Sequence, residues 1–335
     1  METGDAEGPT LFVGLGRMGA PMVRCHAEQF RTVVFDVDAG TASRVATETG
    51  TELLDDLAAV GRAGGPDVTT VVLMLPDSRT VEAVLLGEDD GSGLLGRLGE
   101  GAVVVDMGSS EPASTRHLAV LAAERGVGYV DAPVSGGVSR AETGELAIMV
   151  GGRDEDVARA RPHLEPLGAS VVHVGPSGTG HAAKALNNLL SATNLAAAAE
   201  VLCVAEREGI DPAVMVEVLN SSTGRSQATE VKYPQHVLTG TFASGFAMDL
   251  MLKDLAIAQR LADDVSAASP ITRSTVQTLV EARRVLGRAG MDHTEIVRYY
   301  EQANHVLLRS RNDAQPDTDA QSNTDIESDT ERNHR

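Results

Sequence analysis

Lysine is scarce in this chain: of its 28 basic residues only Lys184, Lys232 and Lys253 are lysines. The scarcity matters because a lysine can give up its proton when its surroundings disfavour the charge. A guanidinium stays protonated and makes a poor acid or base. Lys184 follows the turn Gly178-Thr179-Gly180 and enters an Ala/Leu/Asn-rich run that carries Asn187 and Asn188. Lys184 and Asn188 stand four positions apart, so on a helix they project from one face. The positive end of the helix dipole and burial in a cleft would both lower the affinity of Lys184 for its proton. Such a lysine takes a proton from an alcohol during oxidation and returns it during carbonyl reduction. Lys253, in Leu252-Lys253-Asp254-Leu255, invites the same argument less strongly, and Lys232 lies in a polar stretch that reads as ordinary.

A second chemical feature lies near the N-terminus. A short β-branched run, Leu11–Val13, leads into Gly14-Leu15-Gly16-Arg17-Met18-Gly19 and then a helix starting near Ala20-Pro21-Met22. The first glycine permits a tight turn, the second lets backbone approach a pyrophosphate, and the third allows close helix–strand packing. The helix N-terminus then faces the phosphates. Asp36 follows about twenty residues later, where a carboxylate accepts hydrogen bonds from the adenosine ribose and repels a 2′-phosphate. No arginine follows directly in Asp36-Val37-Asp38-Ala39, so the expected cofactor is NAD rather than NADP. A third feature, Asp131-Ala132-Pro133-Val134-Ser135-Gly136-Gly137, follows another strand-like run. Backbone amides at Ser135, Gly136 and Gly137 could form an anion-binding nest for a substrate carboxylate; as a bare turn the segment would have no such role.

The elements that must position these groups come in two kinds. Leu11–Val13, Thr32–Asp36, Thr69–Leu75, Ala102–Asp106 and Val127–Asp131 read as strands with helix-compatible stretches between them. Leu146–Val150 and Ser170–Val174 add two more strands around a helix near 153–166. That alternation predicts an α/β fold, a Rossmann-type doubly wound sheet over residues 10–176. From His181 to Glu208 there is neither Gly nor Pro, which predicts a helix about 42 Å long, apolar nearly all round and buried. Asp211-Pro212 and Ser269-Pro270 are cap-plus-proline helix starts. Asp249–Val265, Ile271–Arg288 and Thr294–Arg309 complete an all-α second domain over 177–311, with a cleft where the two domains meet. Residues 312–335 form an acidic, polar tail with the composition of a disordered segment.

The net charge of −20 argues against nucleic acid or an anionic membrane as partner. No run of 18 apolar residues occurs, from which no membrane span is expected. Cys25 and Cys203 stand far apart and offer neither a disulfide framework nor a metal-ligand spacing, so no metal is expected. The acidic N-terminal stretch lacks the basic residues of a leader, and a reducing cytoplasm is the expected location.

Taken in order, these motifs resemble the β-hydroxyacid dehydrogenases, over about residues 10–309. Gly14-Leu15-Gly16-Arg17-Met18-Gly19-Ala20-Pro21-Met22 looks like the family's cofactor signature, and Asp131–Gly137 like its substrate loop. Gly178-Thr179-Gly180 with Lys184, Asn187 and Asn188 matches its catalytic motif, and Lys253-Asp254-Leu255 a late signature. The resemblance implies Lys184 as general acid/base, Asn188 as its companion at the reacting oxygen, and Ser135, Gly136, Gly137 and Asn187 at the substrate. It implies Leu75, Pro76, Ser109 and Lys253 beside the cofactor. Two departures stand out: Gly108 replaces a common serine, and Gln227 stands where many relatives carry tryptophan after Arg225-Ser226. The implied reaction is NAD-dependent interconversion of a small 3-hydroxy acid and its semialdehyde, 3-hydroxyisobutyrate first. Alternatives are tartronate semialdehyde (2-hydroxy-3-oxopropionate) or succinic semialdehyde, with a non-catalytic dinucleotide-binding scaffold as the reading from another class. The resemblance and the long apolar helix together imply a homodimer or homotetramer.

Overall fold

The computed structural model describes residues 8–87 and 92–310; the acidic tail read over 312–335 lies outside them. The first half alternates strands and helices: β1 (Thr10–Val13), α1 (Gly19–Ala27), β2 (Thr32–Phe35), α2 (Ala39–Thr49), β3 (Glu52–Leu53), β4 (Thr70–Leu73), α3 (Ser78–Leu86), β5 (Val103–Asp106), α4 (Pro112–Ala123) and β6 (Gly128–Asp131). Then come β7 (Val134–Ser135), α5 (Gly137–Glu142), β8 (Ala147–Gly151), α6 (Asp154–Leu164) and β9 (Ser170–Gly175). The strands pair in the order β3-β2-β1-β4-β5-β6-β8-β7, with β9 on β8. The first six are parallel to one another; β8 runs antiparallel to β6 and β7.

Both faces of this sheet are covered, which is why its strands are continuous apolar runs rather than alternating ones. Phe12, Val34, Val72 and Val105 fill the core on one face. Their neighbours Leu11, Val33, Val71 and Val104 fill the other. Each such burial contributes roughly 1.5–3 kcal/mol. β1 lies between β2 and β4, so the connections out of β1 and into β4 run to opposite sides of it, and a crevice opens at the carboxyl ends of these strands.

The second half is helical: α7 (Thr179–Arg207), α8 (Pro212–Asn220), α9 (Met248–Asp264), α10 (Pro270–Leu286) and α11 (Ile296–Asn304). Its core joins Leu195, Leu202, Tyr233, Met251, Leu255 and Ile296. Asp211 caps α8 as expected, accepting from the Ala213 and Val214 amides. Ser269 starts α10, but its hydroxyl makes no cap bond, so the proline alone marks that start.

The structure corrects several sequence expectations. β3 and β7 are only two residues long, too short for a periodic signal, and Val134–Ser135 was read as turn. A π-helix occupies Ala228–Val237, where only generic helical composition is visible. The long helix α7 is not buried all round: Leu190 and Val204 are 61% and 59% exposed. Although no run of 18 apolar residues occurs, α7 is long and apolar enough by length and composition to cross a membrane. Here that helix packs on α9, α10 and α11 as the spine of the second half.

Candidate active site

The start of α7 is fixed to the sheet by one carboxylate. Asp131, wholly buried at the end of β6, accepts from the Gly178 amide at 2.8 Å and the His181 amide at 2.9 Å. These are orphan donors of a helix N-terminus, which an anion satisfies best. Gly180 permits the approach, since a Cβ there would stand 2.5 Å from the Met149 carbonyl. Beneath this contact His181 bonds Thr115 through Nδ1 at 2.7 Å, and Asp106 accepts from Ser110 and Tyr129. The helix therefore leaves the sheet at a defined height and rotation, and these set where Lys184 emerges.

Lys184 is half-buried, and among the described residues it has no hydrogen-bond or ion-pair partner. Burial pushes its ammonium below the ordinary lysine range; Asp254 opposes that shift and Lys253 adds to it. The helix dipole acts on Lys184 less than the sequence leads one to expect. Lys184 lies beyond the first turn of α7, where the dipole has faded, so burial dominates. One turn on, Asn188 is buried and donates through Nδ2 to Asp254 at 2.6 Å. Asn187, more exposed, donates to Asn188 Oδ1 at 3.3 Å.

Asp254 is the meeting point of the two halves. Its other oxygen accepts from the Ser109 hydroxyl at 2.7 Å. Its neighbour Lys253 donates to the Ser109 carbonyl at 2.6 Å and the Pro76 carbonyl at 3.0 Å. Thus α9 grips the loops after β4 and β5, and a surface pair between Arg260 and Glu111 lies alongside. Gly108, which departs from the common serine, has a steric reason here: a Cβ would stand 2.6 Å from the Leu75 carbonyl.

The glycine loop meets the requirements of a dinucleotide cradle. Gly14 has φ +95°, and a Cβ there would meet the Met74 carbonyl at 2.5 Å. A Cβ at Gly19 would stand 2.0 Å from the Gly14 carbonyl, while one at Gly16 would meet nothing within 4 Å. The first and third glycines are filled in by protein and the second faces open space, which fits a pyrophosphate. Leu15 turns its side chain into the core, and its amide donates to Asp36 at 2.7 Å. Asp36 also accepts from the Asp38 amide at 2.9 Å. A carboxylate with about four acceptor sites keeps capacity for a ribose diol after these two bonds. Arg17 is exposed, and its guanidinium lies near Gly245 across the cleft; Met18 is half-buried beside it. Leu75 packs against Gly14, with Pro76 exposed at the rim.

Ser135 ends β7 half-buried, followed by Gly136 and Gly137 at φ +135° and +72°. The loop begins at Asp131, so it adjoins the first turn of α7. Among the described hydrogen bonds none joins it directly to Lys184.

The chain is similar to proteins already known. Residues 10–175 match the family model described as the NAD binding domain of 6-phosphogluconate dehydrogenase. Residues 178–300 match the one described as NAD-binding of NADP-dependent 3-hydroxyisobutyrate dehydrogenase. The chain is 36% identical to 2-(hydroxymethyl)glutarate dehydrogenase of Eubacterium barkeri, over 88% of this chain and 95% of that one. It is 37% identical to 3-hydroxyisobutyrate dehydrogenase of Pseudomonas aeruginosa, over 78% of this chain and 87% of that one. The chain belongs to the β-hydroxyacid dehydrogenase family. A solved Mycobacterium tuberculosis 3-hydroxyisobutyrate dehydrogenase with L-serine superposes at a TM-score of 0.77, with 28% identity, over 88% of this chain and 99% of that one.

As a β-hydroxyacid dehydrogenase the protein is an oxidoreductase with a dinucleotide-binding half and a helical half. Its structure also brings forward residues that sequence reasoning missed. From the sequence Asp131 reads only as the start of a loop, and Asp254 only as part of the Lys253-Asp254-Leu255 signature. Lys232, dismissed as ordinary, is half-buried and donates to Ser191 on α7 at 2.9 Å. Burial lowers its ammonium to about 8, against the pull of Asp292, with Lys184 adding to the drop. The signal was available: lysine is so rare here that the argument made for Lys184 applied equally to Lys232. Gln227 is exposed at the start of the π-helix.

Proposed function

We propose that this dehydrogenase interconverts a short 3-hydroxy acid and its semialdehyde with NAD, using Lys184 as general acid/base. The observation that carries the reading is the Lys184 ammonium. It is half-buried, unpaired among the described residues, lowered in proton affinity, and one turn before an asparagine held by Asp254. A bound nicotinamide supplies the hydride acceptor or donor. Neutral Lys184 receives the proton of the substrate hydroxyl as the alcohol is oxidised. In reduction the charged lysine returns that proton to the carbonyl oxygen. Asn188 orients the reacting oxygen, and Ser135, Gly136 and Gly137, with Asn187 nearby, hold the carboxylate.

NAD rather than NADP is supported by Asp36 and by the direction of Arg17. A 2′-phosphate would meet a carboxylate at the end of β2, and Arg17 leans toward Gly245 instead. The carboxylate is the stronger of the two arguments, because bringing two anions together with no cation between them is costly. Within the substrate class, 3-hydroxyisobutyrate is the first compound to test. Self-association is part of the reading, supported by the exposed Leu190 and Val204 on α7; a strictly monomeric species in sedimentation would overturn that part.

A spectrophotometric screen tests the whole reading. Short 3-hydroxy acids, offered with NAD and with NADP, should reduce NAD preferentially. Failure to turn over any of them, with NAD still bound, would leave a scaffold instead of an enzyme.

A further inference from the structure

We infer that Lys232 is a specificity residue that holds a second carboxylate on the substrate, distal to the reacting carbon. The inference rests on the proposed reaction and narrows its substrate class to hydroxy-dicarboxylic acids.

Lys232 sits in the π-helix Ala228–Val237 and donates to the Ser191 hydroxyl at 2.9 Å. Ser191 is seven residues beyond Lys184 on α7, which returns it to nearly the same face about 10 Å further along the axis. Asn188 lies between them. One stripe of α7 therefore carries the lysine assigned to proton transfer, the asparagine at its side, and the serine that anchors a second ammonium. π-Helical segments occur often at functional sites because the extra residue re-aims the side chains around it.

Lys232 is also short of partners. An ammonium has three donors, yet among the described residues its one hydrogen bond is to a neutral hydroxyl, and no carboxylate lies within 4 Å. The nearby anion is Asp292, but its oxygens are occupied. It accepts from the Ser244 hydroxyl, the Gly245 amide, and the amide and hydroxyl of Thr294. His293, beside Asp292, is buried and lowered to about 4, so it carries no charge near neutral pH. A half-buried cation left with one neutral partner is costly unless something anionic completes it. The first substrate carboxylate is already provided for at Ser135–Gly137, so the anion that suits Lys232 is a second one.

A charged lysine paired with a carboxylate gives a charge-assisted bond, and a neutral substrate terminus forfeits it. The wild-type enzyme should prefer 2-(hydroxymethyl)glutarate to 3-hydroxyisobutyrate in kcat/KM with NAD. Lys232→Gln keeps a donor for Ser191 and removes the charge. It should lower the dicarboxylate-to-monocarboxylate ratio by about ten- to hundredfold, chiefly through KM for the dicarboxylate. Lys232→Arg, which keeps the charge, should hold most of the ratio. A wild type that favours the monocarboxylate, or a ratio unmoved by Lys232→Gln, overturns the inference. Equal losses on both substrates assign Lys232 to holding the π-helix and overturn it as well. Wild-type turnover of neither compound instead overturns the proposed reaction itself.

Discussion

Asn188 donates its side-chain amide to Asp254 at 2.6 Å, and this bond decides how the asparagine faces the cleft. An ionised carboxylate can only accept, so Asn188 must offer Nδ2 to it and leave Oδ1 turned toward Asn187 and the open side. The same carboxylate accepts from Ser109, so the orientation of a residue on α7 depends on a loop of the other domain. Asp254→Ala removes both bonds from a buried position. Loss of a charge-assisted bond costs about 1.5–3 kcal/mol, and kcat should fall roughly ten- to hundredfold. NAD affinity should change less. A kcat within twofold of wild type would show that Asn188 is held in place without Asp254.

Lys184 gives a pH dependence with a definite sign. Its folded-state proton affinity lies below the ordinary lysine value because of burial. The neutral form serves oxidation, so that rate should rise as pH climbs through the lowered value and then level. The charged form serves reduction, which should decline over the same interval. Lys184→Arg keeps a permanent charge and should lose about 10²- to 10⁴-fold in both directions. Rate profiles for the two directions that rise and fall together would remove Lys184 from proton transfer.

Several residues that the structure brings together at this candidate site are readable in the sequence, and those that are not share a physical reason. The glycine loop, Asp36 and the Lys184–Asn188 spacing are local patterns: each works through residues adjacent on one strand, turn or helix. Asp254 was missed as a hub because its partners, Ser109 and Asn188, lie far from it in the chain. Asp131 looked like a loop residue for the same reason, since its bonds go to amides across a strand–helix junction. β3 and β7, at two residues each, are defined by their neighbours in the sheet and carry no periodicity of their own. The exposed side of α7 was misjudged because composition gives the apolar character of a helix but not what packs on each side.

Asp36 has two tasks that a substitution can separate. Its bond to the Leu15 amide holds the glycine loop, and its charge confronts the ribose end of the cofactor. Asp36→Asn retains an acceptor for Leu15 while abolishing the charge. The preference for NAD over NADP, measured as a ratio of kcat/KM, should shrink by about tenfold. The Leu15 bond can survive on the one remaining oxygen, but the Asp38 amide loses its acceptor, so thermal stability should fall by about 1 kcal/mol. A ratio unchanged in this variant would move the source of selectivity away from Asp36.

The sheet itself carries an acid-sensitive element remote from the site. β1, β2 and β4 each begin with a threonine, Thr10, Thr32 and Thr70, paired in register. Their hydroxyls bond two buried histidines: Thr32 meets His26 at 3.0 Å, and Thr10 and Thr70 meet His163 at 3.2 and 3.1 Å. The two rings also bond each other, His26 Nε2 to His163 Nδ1 at 3.2 Å. Burial, with His163 adding to it, lowers His26 to about 3. Folded His26 is therefore neutral across the interval in which an unfolded histidine takes up a proton, from about 6.5 downward. Its stabilising effect is complete above that value and is lost as pH falls toward 3, at up to about 1.4 kcal/mol per pH unit. Denaturant unfolding measured between pH 7 and pH 4 should show this slope on top of the carboxylate contribution. His26→Gln, which cannot titrate, should unfold with a shallower pH dependence despite a lower stability at pH 7. Parallel curves for the two proteins would mean that His26 accepts its proton without unfolding the sheet.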